Sequence, residues 1–347
     1  MKVTVKDKYL NVRVGEPRLN APCNQYIAPG SQIEVTGALH TGDYFDGTNT
    51  WYADNTGNYY WAGGVNAELV VGNIDYTNTL GNLPAGMINN RGDKINIVIV
   101  DSGIVFNGDY FDISKTNSIN VDQGLYDDDH AVFIGGIIAG IKNVTGVATN
   151  ANITSLKFTS GKTEAADQVK NLVAALTKVA AMPGPLVMNL SQGFTDFLMN
   201  HFVAEKKQIL TLLDQITAGA NKFIICAAED NLALTANMRF PSYTPNCISV
   251  GCVGKKHQFI PISSQLNILS PQVMYTSFGL DYNLKDSAGS SFATAMISSI
   301  VACMVSVAVS RNITLTKAMI LAELKQYSTD RSSFQFDNIQ SFQYQII

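Results

Sequence analysis

From about residue 94 onward, five apolar runs punctuate the chain: INIVIV, ITSLKF, PLVMNLS, KFIICAA and CISVGCV. A strand with one face in water alternates apolar and polar residues, so a run this continuous demands burial on both faces. Helical periodicity occupies the stretches between and after them, at 130–141, 164–181, 197–218, 291–310 and 316–326. Strand, helix, strand in that order predicts an α/β domain: a mostly parallel central sheet covered by helices on both faces. Residues 1–72 have another texture. KVTVKD, LNVRV and IEVTG alternate, with turns at PGS, DGT and NTG, and predict a small all-β module. Residues 73–93 are rich in Asn, Gly and Pro and read as a linker. The expected division is therefore 1–72, 73–93 and 94–347.

Charge and cysteine usage exclude several classes. Lys and Arg total 24 against 28 Asp and Glu, a net charge of −4, which gives no footprint for nucleic acid or an anionic membrane. The start, MKVTVKDKYLNV, has no apolar core of the kind that a secretory leader carries. The uncharged stretch from Ser287 to Ser310 holds Ser290, Ser291, Thr294, Ser298, Ser299 and Ser306, a poor composition for hydrocarbon, and is expected to be a buried core helix. The 5 cysteines are odd in number, mostly set in apolar runs and without a CxxC pair. Buried free thiols are expected, with no zinc site, in a reducing compartment. That favours a cytoplasmic location.

In parallel sheets, functional residues gather at the carboxyl ends of strands. Asp101 ends INIVIV, and His130 opens the apolar stretch HAVFIGGIIAG after three aspartates. Ser291 opens a small-residue helix after Gly289. Each has a bland reading: a loop-capping aspartate, a surface or capping histidine, a helix N-cap serine. Of the four histidines, His40 lies in the β-module, His201 in a helical stretch and His257 in a KKHQ turn, which leaves His130 at a strand-end loop. Together the three supply what a serine nucleophile needs. An imidazole takes its proton, a carboxylate fixes the imidazole, and a helix N-terminus aims N–H groups at an oxyanion.

These motifs resemble those of the subtilisin-like serine proteases, over residues 94 to about 328. IVIVDSGI resembles the family's aspartate motif, HAVFIGGIIAG its histidine motif and GSSFATAM its serine motif, in the same order. TGVATNANITSLKF, VMNLSQG and FPSYTPNCISVG resemble intermediate segments. The resemblance implies a three-layer subtilisin-like fold with Asp101, His130 and Ser291 as triad. It places the oxyanion asparagine within IICAAEDN, where ungapped register gives Asn231 and a shift of one gives Asp230. A carboxylate would repel an oxyanion, so chemistry favours Asn231, alongside the Ser291 N–H. Ala131, Val132 and Phe133 replace glycine, threonine and histidine of the family motif, while Phe292 and Ala295 replace methionine and proline. AGIKNVTGVA is short and has no carboxylate where the family carries a calcium loop, so no calcium there, no other metal and no cofactor are expected. Asp127 to Asp129 reads as a solvated acidic loop. By the same resemblance the P1 pocket lies between Ser191-Gln192-Gly193 and the segment carrying Asp230, with Arg239 near its floor. A buried guanidinium there would accept an acidic P1 side chain, or be neutralised by Asp230 or Glu229, or turn to solvent.

LNVRVG, GSQIEVTG, WYAD and NYYWAGGV resemble a bacterial SH3-like domain, an all-β barrel that takes extended peptides. Trp61 is expected in its core; Tyr52, Tyr59 and Tyr60 fit core or surface equally. Three functions fit. One is a serine endopeptidase acting on protein or peptide substrates, with an SH3-like module that binds a protein or cell-wall peptide for targeting or regulation. Another is a degenerate protease fold that captures peptides without cutting. The last is a secreted cell-wall protease whose leader has been removed.

Overall fold

The computed structural model describes residues 2–36, 39–46, 48–68, 74–77, 83, 85–228, 238–252, 266–270, 275–326, 328–330 and 344–346. The chain divides into two units, Met1–Gly72 and Asn73–Ile347.

In the first unit, alternation translates directly into antiparallel sheet. Lys2–Val5 pairs with Gln32–Glu34 and Val65–Glu68. The five strands Cys23–Ile27, Leu10–Val14, Asn58–Trp61, Thr48–Ala53 and Leu39–Phe45 lie side by side in that order. Val3, Val5, Leu10, Val12, Ile33, Val35, Tyr60 and Val65 form one buried cluster. Trp51 is buried at 1% exposure, with its Nε1 donating to Asp43 O. Trp61, expected in the core, is only partly buried. It packs on the cluster from outside and meets Phe45 edge-on at 4.9 Å. Tyr60 is the buried tyrosine. Its hydroxyl donates to Asp54 at 2.6 Å, which is how a polar tip becomes tolerable inside.

The second unit is built on a nine-stranded sheet. Its spatial order is Thr116–Asn120, Asn152–Lys157, Asn96–Asp101, Leu186–Leu190, Lys222–Ala227, Cys247–Cys252, Ile268–Ser270, Tyr344–Ile346, Ser328–Asp330. All pairs are parallel except the last. Successive residues of each run face opposite layers. Ile97, Ile99, Val187 and Ile225 join a core with helices His130–Ala139 and Ser290–Ser310. Val98, Val100, Met188 and Ile224 join another with helices Ala165–Ala180 and Val203–Thr217. Residues 197–218, read as one helix, form two, Asp196–Met199 and Val203–Thr217. Thr195 caps the shorter one through a bond from Leu198 N at 3.2 Å. The helix Ser290–Ser310 is long and apolar enough to cross a membrane, yet 89% of its apolar window is buried in the protein. Its hydroxyls are absorbed inside: Thr294 donates to Ser290 O, Ser299 to Ala295 O, Ser306 to Asp93 O.

The stretch expected to be a linker packs into this unit. Ile74–Asp75 pairs with Val144–Thr145. Tyr76 is fully buried; its hydroxyl donates to Thr276 O at 2.8 Å and accepts from Thr276 N at 2.9 Å. Met87 and Ile88 are buried on the short helix Ala85–Ile88. Turn-forming composition concealed these few apolar anchors. Four cysteines are buried and Cys23 is exposed, all as free thiols.

Candidate active site

The sheet order reverses beside Asn96–Asp101: the chain leaves it for two strands on one side, then crosses to Leu186–Leu190 on the other. Such a switch point opens a crevice at the carboxyl edge. Val100 lies opposite Leu190, so Asp101 and Ser191 emerge next to each other there.

Asp101 is fully buried. Its Oδ1 accepts from Ser102 N at 2.7 Å and from His130 Nδ1 at 2.8 Å. A carboxylate at Nδ1 holds the proton on that nitrogen and makes Nε2 the basic one. Oδ2 is buried with no hydrogen-bond partner among the described residues. The residues after Asp101 fix the histidine helix. Ser102 Oγ accepts from Ala131 N at 3.2 Å. Gly103 has φ +92, and a Cβ there would fall 2.8 Å from the Lys157 and Tyr126 side chains. Only glycine fits that backbone and that space. At Gly136 the helix comes so close to Ser277 that a Cβ would lie 2.1 Å from its Oγ.

The three aspartates are not a loose acidic loop. Asp127 Oδ1 accepts from Gly161 N at 2.9 Å, and Asp128 Oδ1 from His130 N at 2.9 Å. Asp129 accepts from Leu280 N at 2.6 Å and pairs with Lys285. Burial pushes the Asp129 carboxyl up, but the bonds from Lys285 and Leu280 N hold it below the usual range. Asp127 and Asp129 tie the approach to His130 to two other segments, and Asp128 holds the His130 N–H within its own turn. Among the described residues no group of three or more His, Cys, Asp or Glu is arranged to hold a metal ion.

Ser291 lies in the first turn of its helix, where backbone N–H groups have no intrahelical acceptor. Its Oγ donates to Ser191 O at 2.9 Å, and Ser191 Oγ returns a bond to Ser291 O at 3.0 Å. Behind them, Asn189 Nδ2 donates to Ser191 Oγ at 2.9 Å, and Ser298 Oγ donates to Asn189 Oδ1 at 3.0 Å. A polar ladder thus locks the serine helix to the strand Leu186–Leu190. Two of the departures from the family motifs, Phe133 and Phe292, pack on one another. Phe133 and Phe292 have ring centroids 4.4 Å apart, and Phe292 also meets the His130 ring at 5.6 Å.

A recess of about 310 Å³ opens beside Ser291, lined by Ser191, Gln192, Gly193, Arg239 and Ser290. Ala227 and Ala228 form its small-residue wall, and Gln168 reaches it from the helix Ala165–Ala180. Gln168 was not expected here; as a polar residue near the start of an amphipathic helix it has no local signature. Arg239 is exposed, not buried at a floor: its side chain runs along Gly193, where an added Cβ would meet Arg239 Cβ at 2.8 Å. Glu229, Asp230, Asn231 and His257 lie outside the described residues.

A model of the subtilase family matches residues 92–342. No curated protein matches the chain. Among solved structures the chain is similar to a cold-adapted subtilisin-like serine proteinase, at 18% identity and TM-score 0.56, over 74% of this chain and 90% of that one. It is also similar to the prenylagaramide maturation protease PagA, at 18% identity and TM-score 0.55, over 72% and 88%. A structure of the subtilase cytotoxin SubAB assembly matches at 16% identity and TM-score 0.58, over 78% and 92%. At these identities the likeness concerns the fold.

Proposed function

The chain belongs to the subtilase family of serine peptidases, and on that premise we propose that it is an endopeptidase whose triad is Asp101, His130 and Ser291. The observation that carries this reading is the 2.8 Å bond from His130 Nδ1 to a fully buried Asp101, at the strand edge where Ser291 also sits. In the reaction, Ser291 Oγ exchanges its bond to Ser191 O for one to His130 Nε2. As Oγ attacks the substrate carbonyl, its proton passes to Nε2 and the carbonyl π electrons move to oxygen. The Asp101 charge stabilises the resulting imidazolium. The oxyanion receives the Ser291 N–H, in the field of a helix N-terminus, and the side-chain amide of Asn231. His130 then protonates the leaving amine. Water, deprotonated by His130, cleaves the acyl-enzyme and restores the serine. No cofactor takes part.

The first unit acts, in this proposal, as an SH3-like module that selects a protein or peptide partner, without a part in the chemistry. One observation favours a second reading, peptide capture without cleavage: the Ser291 hydroxyl is engaged with Ser191 O. Labelling with a fluorophosphonate separates the two. The wild type should acquire one adduct at Ser291, located by peptide mass mapping, and Ser291→Ala and His130→Ala should acquire none. Folded wild-type protein that stays unmodified would refute the peptidase reading.

A further inference from the structure

The charge in the recess beside Ser291 points to a substrate class. We infer that this chain cleaves after acidic residues, with Arg239 as the specificity determinant; the inference rests on Ser291 being the nucleophile. When Ser291 attacks a carbonyl, the side chain of that residue projects beside Ser291, into the recess that Ser291 lines. Among the described lining residues Arg239 carries the only charge, and Gln168, Ser191, Gln192 and Ser290 are neutral hydrogen-bonding groups.

The position of Arg239 is set by its backbone. Its N–H donates to Ala228 O at 3.0 Å, and its carbonyl accepts from Ser242 N at 2.9 Å and Ser242 Oγ at 2.6 Å. Its neighbour Phe240 exchanges both backbone bonds with Phe194, at 2.8 and 2.9 Å. The side-chain stem then lies along Gly193, where a side chain would collide with it. Glycine at 193 therefore admits the arginine stem. A guanidinium carries five N–H donors in a planar fork, so a carboxylate can share it with other partners. A P1 carboxylate accepts two of them in parallel, an amide of the same size accepts less, and a P1 ammonium is repelled.

Two measurements on the full chain test this. Ser291→Ala protein, titrated calorimetrically with matched peptides ending in Glu, Gln, Leu or Lys, reads the recess without turnover. Digestion of a peptide library by the wild type reads it with turnover. The Glu peptide should bind about tenfold tighter than the Gln peptide, and cuts should fall after Glu and Asp. Arg239→Ala, and Arg239→Gln as a variant of similar length, should reduce both preferences to about twofold or less, while circular dichroism and melting temperature show that the fold survives. Preference for Leu or Lys, equal binding of all four peptides, or an acidic preference that persists without Arg239 would overturn the inference. Cutting after Leu that ignores Arg239 leaves the peptidase reading intact and removes this one. Arg239-dependent binding of the Glu peptide, with no cutting by the wild type, supports this inference and removes peptidase activity.

Discussion

Replacing Asp122 with asparagine should destabilise the second unit by about 3 kcal/mol, the low end for breaking a buried ion pair from one side. Lys157 is 1% exposed and ends the strand paired with Asp101. Its ammonium donates to Asp122 Oδ1 at 2.7 Å, Gly124 O at 2.9 Å and Asp122 O at 3.2 Å. Asp122 also accepts from Gly124 N at 2.6 Å and Thr163 Oγ1 at 2.6 Å. Asparagine keeps the shape but removes the counter-charge, so a buried cation is left with neutral acceptors and the Tyr126 ring. At about 2–4 °C per kcal/mol for a domain of this size, the melting temperature should fall by about 6–12 °C. The pH dependence has a definite sign. Burial alone pushes the Asp122 carboxyl up, but the bonds from Lys157, Thr163 and Gly124 N hold it below the usual range. A lowered folded pKa gives stability that is fully present above the unfolded value, about 4, and lost as pH falls through the folded one. The gap between wild type and Asp122→Asn should therefore be constant near neutrality and close in acid. Calorimetric melts from about pH 3 to about pH 8 measure it. The double variant Asp122→Asn/Lys157→Met should recover most of the loss, because it removes the stranded charge too. A loss under about 2 °C, a gap that stays open in acid, or a double variant no better than the single would refute the reasoning.

Asn231→Ala should lower kcat by ~10²–10³ with little change in KM, as loss of one oxyanion donor does; if Asp230→Ala does the greater damage in steady-state kinetics, the oxyanion register is displaced by one residue. A chain shortened to begin at Asn73 should still hydrolyse a short chromogenic peptide, and loss of activity in folded protein would make the first unit part of the catalytic machinery. A chain beginning at Asn89 should melt far lower, since it lacks Tyr76, a fully buried aromatic whose class of truncation costs about 3–5 kcal/mol. Equal melting temperatures for the two would contradict the burial of Tyr76, Met87 and Ile88.

Some features read plainly because their cause is local. The runs INIVIV, KFIICAA and CISVGCV became Asn96–Asp101, Lys222–Ala227 and Cys247–Cys252, since continuous apolarity fits only a strand covered on both faces. The serine-rich apolar stretch became the buried helix Ser290–Ser310. Other features were hidden because their partners are distant. Tyr76 in a turn-rich segment looks like any surface tyrosine until Thr276 closes on both sides of its hydroxyl. Three consecutive aspartates give no sign in sequence that Gly161, His130 and Leu280 each anchor one, although Asp127 stays exposed as expected. Lys157 and Asp122 carry no sequence signal of pairing, because the strand ends that unite them lie 35 residues apart.

What the sequence determined by itself was the layering, through burial periodicity, and the identity of Asp101, His130 and Ser291 as chemically suited groups at strand or helix ends. Their convergence was decided by tertiary structure. Sheet register sets Asp101 beside Ser191, and helix packing brings His130 to Asp101. The Ser298–Asn189–Ser191 ladder draws Ser291 to the same edge from 100 residues beyond Ser191. The sequence resemblance put Arg239 near the recess, but its exposed course along Gly193 was decided by tertiary structure. Periodicity records what each residue must hide from water, but the partner it meets depends on how distant segments cross.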